Sequence, residues 1–229
     1  LFIDAMNTTD SGLSNKDLYM WHILITPDNN SEEVQDAAIE LCEFMEDAMY
    51  IADPPQGLSR TGVVNWHNGK FGRSSAFNSN YASTYWPWCK VYDSTLKQYS
   101  WVPPSVIMSA QYCLVDKTRG PWYAPAGEQN GVLNTVIDIE EYPNKADRDA
   151  MYLEQNRVNP FLKLRNGNII CYGEKTLQRK NSTLTKIHTR RMLIALKKEL
   201  RNSIRGFIFL PTMSENISTI RSIATSIVR

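Results

Sequence analysis

LYMWHILITPDNNSEEVQDAAIELCEFMEDAMYIADPP (18–55) is the stretch that decides the fold. Residues 18–27 are apolar, β-branched and aromatic up to Pro27, which predicts a buried strand. Asn30 or Ser31 is placed to cap a helix, with Glu32 and Glu33 in its first turn, where carboxylates favour the N-terminal dipole. Val34, Ala37, Ala38, Leu41 and Met45 follow at three- and four-residue steps and give that helix one apolar face. AMYIADPP (48–55) is a second strand, stopped by Pro54-Pro55. A strand, a helix and a strand with short joints form a parallel unit. The expected class is therefore α/β, a mixed sheet with flanking helices.

Outward from this unit, residues 56–80 are rich in Gly, Ser and Asn and read as a long loop holding at most a short helix. YASTYWPWCKVYD (81–93) is an aromatic strand candidate that Pro87 should bend or confine to an edge. Helices are predicted over 105–116, 145–155 and 186–205, the last ended by Gly206. FLKLR (161–165) and NIICYG (168–173) flank Asn166-Gly167, a hairpin signal. FIFLP (207–211) reads as a further strand and 214–229 as the start of a C-terminal helical region. There is no internal repeat, so 1–229 is taken as one α/β region.

Composition narrows the function classes. The 229 residues carry a net charge of +1, which gives no global field toward nucleic acid or membrane. The longest uncharged run considered, 98–115, is shorter than the ~20 residues of a spanning helix and contains Pro103-Pro104. No membrane insertion is expected. Cys42, Cys89, Cys113 and Cys171 are scattered without metal-ligand spacing and are expected to be buried, reduced thiols. The Asn-x-Ser/Thr triplets at Asn7, Asn181 and Asn216 are then chance matches. The chain starts inside an apolar run without Met and stops inside a helical pattern, and it is read as a fragment of a longer protein.

The search for catalysis comes back empty. His22, His67 and His188 stand in no metal-binding pattern and are expected to be satisfied structural histidines. GVVNWHNGK (62–70) fails as a phosphate loop: its glycine spacing is wrong and Phe71 replaces the needed hydroxyl. There is no nucleophile elbow, and Asp138, Glu140 and Glu141 read as a solvated acidic edge. Neither a catalytic residue nor a cofactor or metal site is assigned.

Charge is instead segregated. From Asp17 to Ser59 there are ten acids and no Lys or Arg; from Arg157 to Arg205 there are thirteen Lys and Arg against Glu174 and Glu199. On the first helix Glu33, Asp36, Glu40, Glu43 and Asp47 form one acidic stripe. On the late helix Lys186, Arg190, Lys197 and Arg201 share a basic face, flanked by Arg191, Lys198 and Arg205. Met192, Leu193, Leu196, Leu200 and Ile204 lie opposite. Like charges at these steps repel. The stripes can pair within one subunit or face water, the basic helix 186–205 can bind nucleic acid, or the two faces can meet between copies in a heterologous contact that builds an open helical array.

The loop motifs then point to a family. DPP (53–55), YASTYWPW (81–88), WVPPS (101–105), D-x-x-RG-x-W-x-APAGE (116–128), CYGEKTL (171–177) and HTRRMLIALKKEL (188–200), in this order, resemble contractile-tail sheath proteins of bacteriophages and related injection machines. The resemblance spans about 17–211; Val106, Glu174 and FLPT (209–212) depart from the usual pattern, as in a divergent sheath of a large phage.

The resemblance implies the core domain of a subunit that polymerises helically around a tail tube and contracts to drive the tube through the host envelope. Its implied partners are copies of itself, the tail tube protein, and the baseplate and tail terminator proteins, with no nucleic acid. It implies a place in the virion after assembly in the host cytoplasm, no cofactor and no enzyme activity. It also implies strand-exchanging terminal arms, the C-terminal one absent from this piece, and a tube-facing region starting near Ser214. The Pro- and Gly-rich loop 101–133 would then keep the subunit rigid, with Trp122 and Tyr123 pinning it to the core. In that setting the acidic and basic stripes are expected to be subunit interfaces.

Overall fold

A computed structural model describes residues 2–7, 12–16 and 19–228. After a short helix α1 (Phe2–Asn7), β1 (Ile23–Ile25), α2 (Glu32–Met45) and β2 (Met49–Ala52) form the expected parallel unit, with Ile23 opposite Met49. β1 is shorter than the apolar run predicts, and its residues are only half-buried. It is one edge of a five-stranded sheet whose order continues through β2, β3 (Ala82–Trp86), β7 (Asn159–Lys163) and β8 (Ile169–Cys171), so one side lacks a neighbour among the described residues. Leu18 and Asp17 lie outside the described residues.

The strand expected over 81–93 is two strands, β3 (Ala82–Trp86) and β4 (Cys89–Asp93), separated at a cis Trp86–Pro87 bond. β3 continues the parallel sheet, while β4 pairs antiparallel with β5 (Gln98–Val102) and β6 (Val136–Ile139) in a second sheet. Pro87 has no N–H for a ladder, so a bend there is where the chain changes sheets. β7 (Asn159–Lys163) runs parallel to β3 and forms the expected hairpin with β8 (Ile169–Cys171), turning at Gly167 with φ +88°. The class is therefore α/β with a mixed sheet, as the opening stretch predicts.

Every residue of β2 and β3 is buried. α2 and α4 (Pro104–Thr118) pack against this sheet, and Leu41, Met45, Ile51, Trp66, Tyr85, Met108 and Phe161 belong to one core. The 56–80 segment holds the short helix α3 (Arg60–His67), whose N-cap Ser59 accepts from the Gly62 N–H. Next come α5 (Gly127–Asn130), α6 (Lys145–Met151), α7 (Ile187–Ile204) and α8 (Ser214–Val228).

Four expectations are corrected. FIFLP (207–211) is not a strand: a 3-10 turn covers Arg205–Phe207, and Ile208 and Leu210 donate to Arg205 and Phe207 carbonyls. Among the described residues it pairs with no strand of either sheet, its backbone closes turns, and Phe209 is 98% exposed. Cys113 is exposed on α4, whereas the other three thiols are buried. His67 is fully buried at the end of α3, but neither ring nitrogen has a hydrogen-bond partner among the described residues. Burial, then the Arg179 charge, pushes its pKa down to about 3. Trp122 and Tyr123 are 57% and 42% exposed rather than pinned into the core. The Trp122 ring instead closes over Gly120, where φ is +103° and an added Cβ would fall 2.6 Å from the ring.

Candidate subunit interface

Three of the loop motifs, DPP, YASTYWPW and WVPPS, meet at the carboxyl ends of β2 and β3. Asp53 accepts from the Ser105 N–H (2.8 Å) at the start of α4, tying DPP to WVPPS. The Trp88 indole donates to the Pro54 carbonyl (2.9 Å) and the Trp86 indole to the Leu58 carbonyl (3.0 Å). Gln35 of α2 reaches the Asp53 carbonyl at 2.9 Å. Each bond satisfies a buried polar group that a parallel sheet leaves at its end. These three motifs therefore build one rigid shoulder.

The acidic stripe divides. Arg73, folded back from the 56–80 segment, pairs with Asp36, reaches Gln35 at 3.1 Å and lies 3.8 Å over the Phe77 ring. Beside it, Glu32 accepts from the N–H and hydroxyl groups of Ser74 and Ser75; the Ser74 N–H is the largest cause holding its carboxyl near 2. Glu43 takes the Ser79 hydroxyl at 2.6 Å, and Asp47 pairs with Arg201 of α7. Glu33 and Glu40 remain exposed.

The basic stripe divides as well. Arg190 is buried, donates to Asn80 (2.5 Å) and the Tyr81 hydroxyl (3.2 Å), and lies 4.2 Å over the Tyr81 ring. Lys197 meets Glu46 at 2.6 Å, and this pairing is what chiefly lowers the Glu46 pKa. Arg201 takes Asp47, and Lys186 stands exposed at the N-cap of α7. Two of the flanking cations are buried as well: Arg191 pairs with Asp116 and covers Tyr112, while Lys198 donates to the Trp21 carbonyl at 2.8 Å.

The structure thus brings Asp47 to Arg201 within one subunit and leaves Glu33, Glu40 and Lys186 exposed without a side-chain partner among the described residues. Lys197, Arg191, Lys198 and Arg190 are received by Glu46, Asp116, the Trp21 carbonyl, and Asn80 with Tyr81. Sequence reasoning did not assign these; they are distant in sequence and share no period with α7. Among the described residues no group of His, Cys, Asp and Glu could hold a metal, and no helix is long and apolar enough to cross a membrane.

No protein-family model matches the chain. It is 27% identical to the tail sheath protein of Vibrio phage KVP40 over 223 residues, covering 86% of this chain and 32% of that protein. The solved sheath of an extracellular contractile injection system, in the contracted state, superposes with a TM-score of 0.72 at 18% identity, over 89% of this chain and 53% of that one. The contracted helical sheath of the anti-feeding prophage gives 0.70 at 18% identity, over 97% and 59%. The sheath tail protein of Listeria innocua gives 0.67 at 9% identity, over 94% and 47%. The chain spans about a third of the curated relative and about half of these solved chains. In sequence and in fold it is similar to contractile tail sheath proteins, as its loop motifs imply.

Proposed function

We propose that this chain is a structural, non-enzymatic part of a contractile sheath subunit. It polymerises helically with copies of itself around a tail tube and, on a signal from the baseplate, rearranges to drive the tube through the host envelope. The observation that carries this reading is the agreement of two likenesses: the sequence match to a phage tail sheath protein and the superposition on sheath chains over most of the present length. The rigid shoulder of motifs and the buried sheet suit a body that moves as a unit while its contacts with neighbours change. The tube, the baseplate and a tail terminator are the partners, and the virion tail is the location after assembly in the host cytoplasm.

Within this reading, the exposed stripe members without a side-chain partner among the described residues are the ones offered to a neighbour: Glu33 and Glu40 from α2 and Lys186 from the start of α7. Asp36, Glu43, Asp47, Arg190, Lys197 and Arg201 already have partners in the subunit, so any role for them in contraction requires exchange of those partners. No observation favours nucleic acid, because Arg190, Arg191 and Lys198 face inward. The test is electron microscopy of the purified chain and of any longer product that carries it. Hollow cylinders with regular helical order are expected; compact particles from both, at every concentration, would remove the proposal.

A further inference from the structure

Asp53 closes β2 in a setting that differs from those of the arginine-paired acids. It is 1% exposed and Ser105 is fully buried. Both carboxyl oxygens are taken by Ser105: Oδ1 accepts its N–H at 2.8 Å, and Oδ2 lies 2.6 Å from its hydroxyl. Asp36, Asp47 and Asp116 each meet an arginine, but Asp53 meets none among the described residues. The groups facing it are Asp28 from the β1–α2 loop, Tyr50 of β2 and Cys89 of β4, which are acidic or neutral. From α2 comes Gln35, whose far end takes the Arg73 guanidinium and keeps that cation one side chain away.

We propose that the Asp53–Ser105 junction is a proton-sensitive clasp between the sheet and α4, tight when Asp53 is neutral and loosened when it ionises. The same geometry serves both states. The neutral acid donates its Oδ2 proton to the Ser105 hydroxyl and accepts the Ser105 N–H on Oδ1. The anion must instead take both protons from Ser105, with no cation to offset its desolvation. The N-terminal dipole of α4, the two Ser105 bonds and the Asp28 backbone N–H favour the anion, whereas burial and the Asp28 charge oppose it. Burial dominates, raising the carboxyl to about 7. A folded-state value above the unfolded one means the folded protein holds the proton longer. The clasp is then fully stabilising below the unfolded carboxylate range and weakens as pH rises through about 7. Since Pro54 also receives Trp88, loosening would reach the second sheet as well.

Two measurements on the whole chain test this. Carbon NMR of the Asp53 carboxyl should show a titration near neutrality, and an anion persisting down to pH 5 would overturn the clasp. Asp53→Asn keeps the junction uncharged, with an oxygen for the Ser105 N–H and an amide for its hydroxyl. Between pH 6 and 8 the wild-type Tm should fall by about 3 °C more than that of D53N. Equal slopes would also overturn it. If D53N fails to fold, the wild-type titration alone decides.

Discussion

α2 and α7 are both amphipathic and charged, yet they dock in opposite senses. α2 buries Val34, Ala38, Leu41 and Met45 and turns Glu33 and Glu40 to solvent. α7 buries Arg190, Arg191 and Lys198 beside Ile187 and Ile194, and leaves Met192, Leu193, Leu196 and Leu200 half-exposed, with α8 packed on the helix. Side-chain length explains the difference. A buried short carboxylate needs a donor within its own reach, whereas Arg and Lys lay apolar stems along the body and deliver the charge to a distant acceptor. Tyr81 and Tyr112 supply ring faces under two of the guanidinium groups, which further favours the inward pose.

The strongest way to break this contrast is to strand a buried cation. Asp116→Ala removes the partner of Arg191, whose side chain is only 7% exposed. The expected loss is about 3 kcal/mol of unfolding free energy, read by urea denaturation. Asp116→Asn, which still offers a carbonyl oxygen, should lose less. If both variants match the wild type, α7 is not held by its cations.

His67 sharpens the point from the other side, as a buried base that stays neutral beside Arg73, Arg157 and Arg179. Its folded pKa, near 3, lies below the unfolded value, so the unfolded chain binds the proton first. Stability through this group should fall as pH drops from about 6.5 toward 3. The Tm difference between wild type and His67→Leu should shrink or change sign over that range. A constant difference would mean that the ring finds water or a partner on protonation.

Next in size are the two pairs joining α7 to the end of α2. Arg201 meets Asp47, whose side chain is 7% exposed, while Lys197 and Glu46 are 43% and 52% exposed. Arg201→Ala should cost about 1–3 kcal/mol by leaving a buried carboxylate short of a donor, and Lys197→Ala under about 1 kcal/mol. Equal costs would show that burial of the acid is not what separates them.

How much of this was legible follows from the range of each interaction. The β1–α2–β2 unit and the Asn166-Gly167 hairpin are set by local periodicity and turn chemistry, and both stand where residues 18–55 and 161–173 place them; at Pro87 the sequence implies a bend or an edge in one strand, whereas the chain there leaves one sheet for another. FIFLP misled because β-propensity says that a segment suits a sheet, not that an edge is present to receive it. The charged stripes were legible as a pattern but not as partners. The Lys197–Glu46 and Arg191–Asp116 pairs join residues far apart in sequence, and nothing in either segment names the other.

The smallest effect on the fold belongs to the residues on which the proposed assembly depends most. Glu33, Glu40 and Lys186 are exposed, so reversing them should change stability by less than about 0.5 kcal/mol. Their value as probes lies in that neutrality. A defect in cylinder formation by Glu33→Lys/Glu40→Lys, at unchanged Tm, would locate the fault between bodies and not within one. If the acidic face meets the basic one, adding Lys186→Glu to the same chain restores opposite signs wherever these faces meet in a head-to-tail array. The triple variant should then assemble better than the double, and mixed with wild type it should poison growth, since each mixed junction sets like charges together. Assembly of the double variant at the wild-type rate would take the stripes out of the interface and leave them as the solvated remainder of two helices that already satisfy their inner faces.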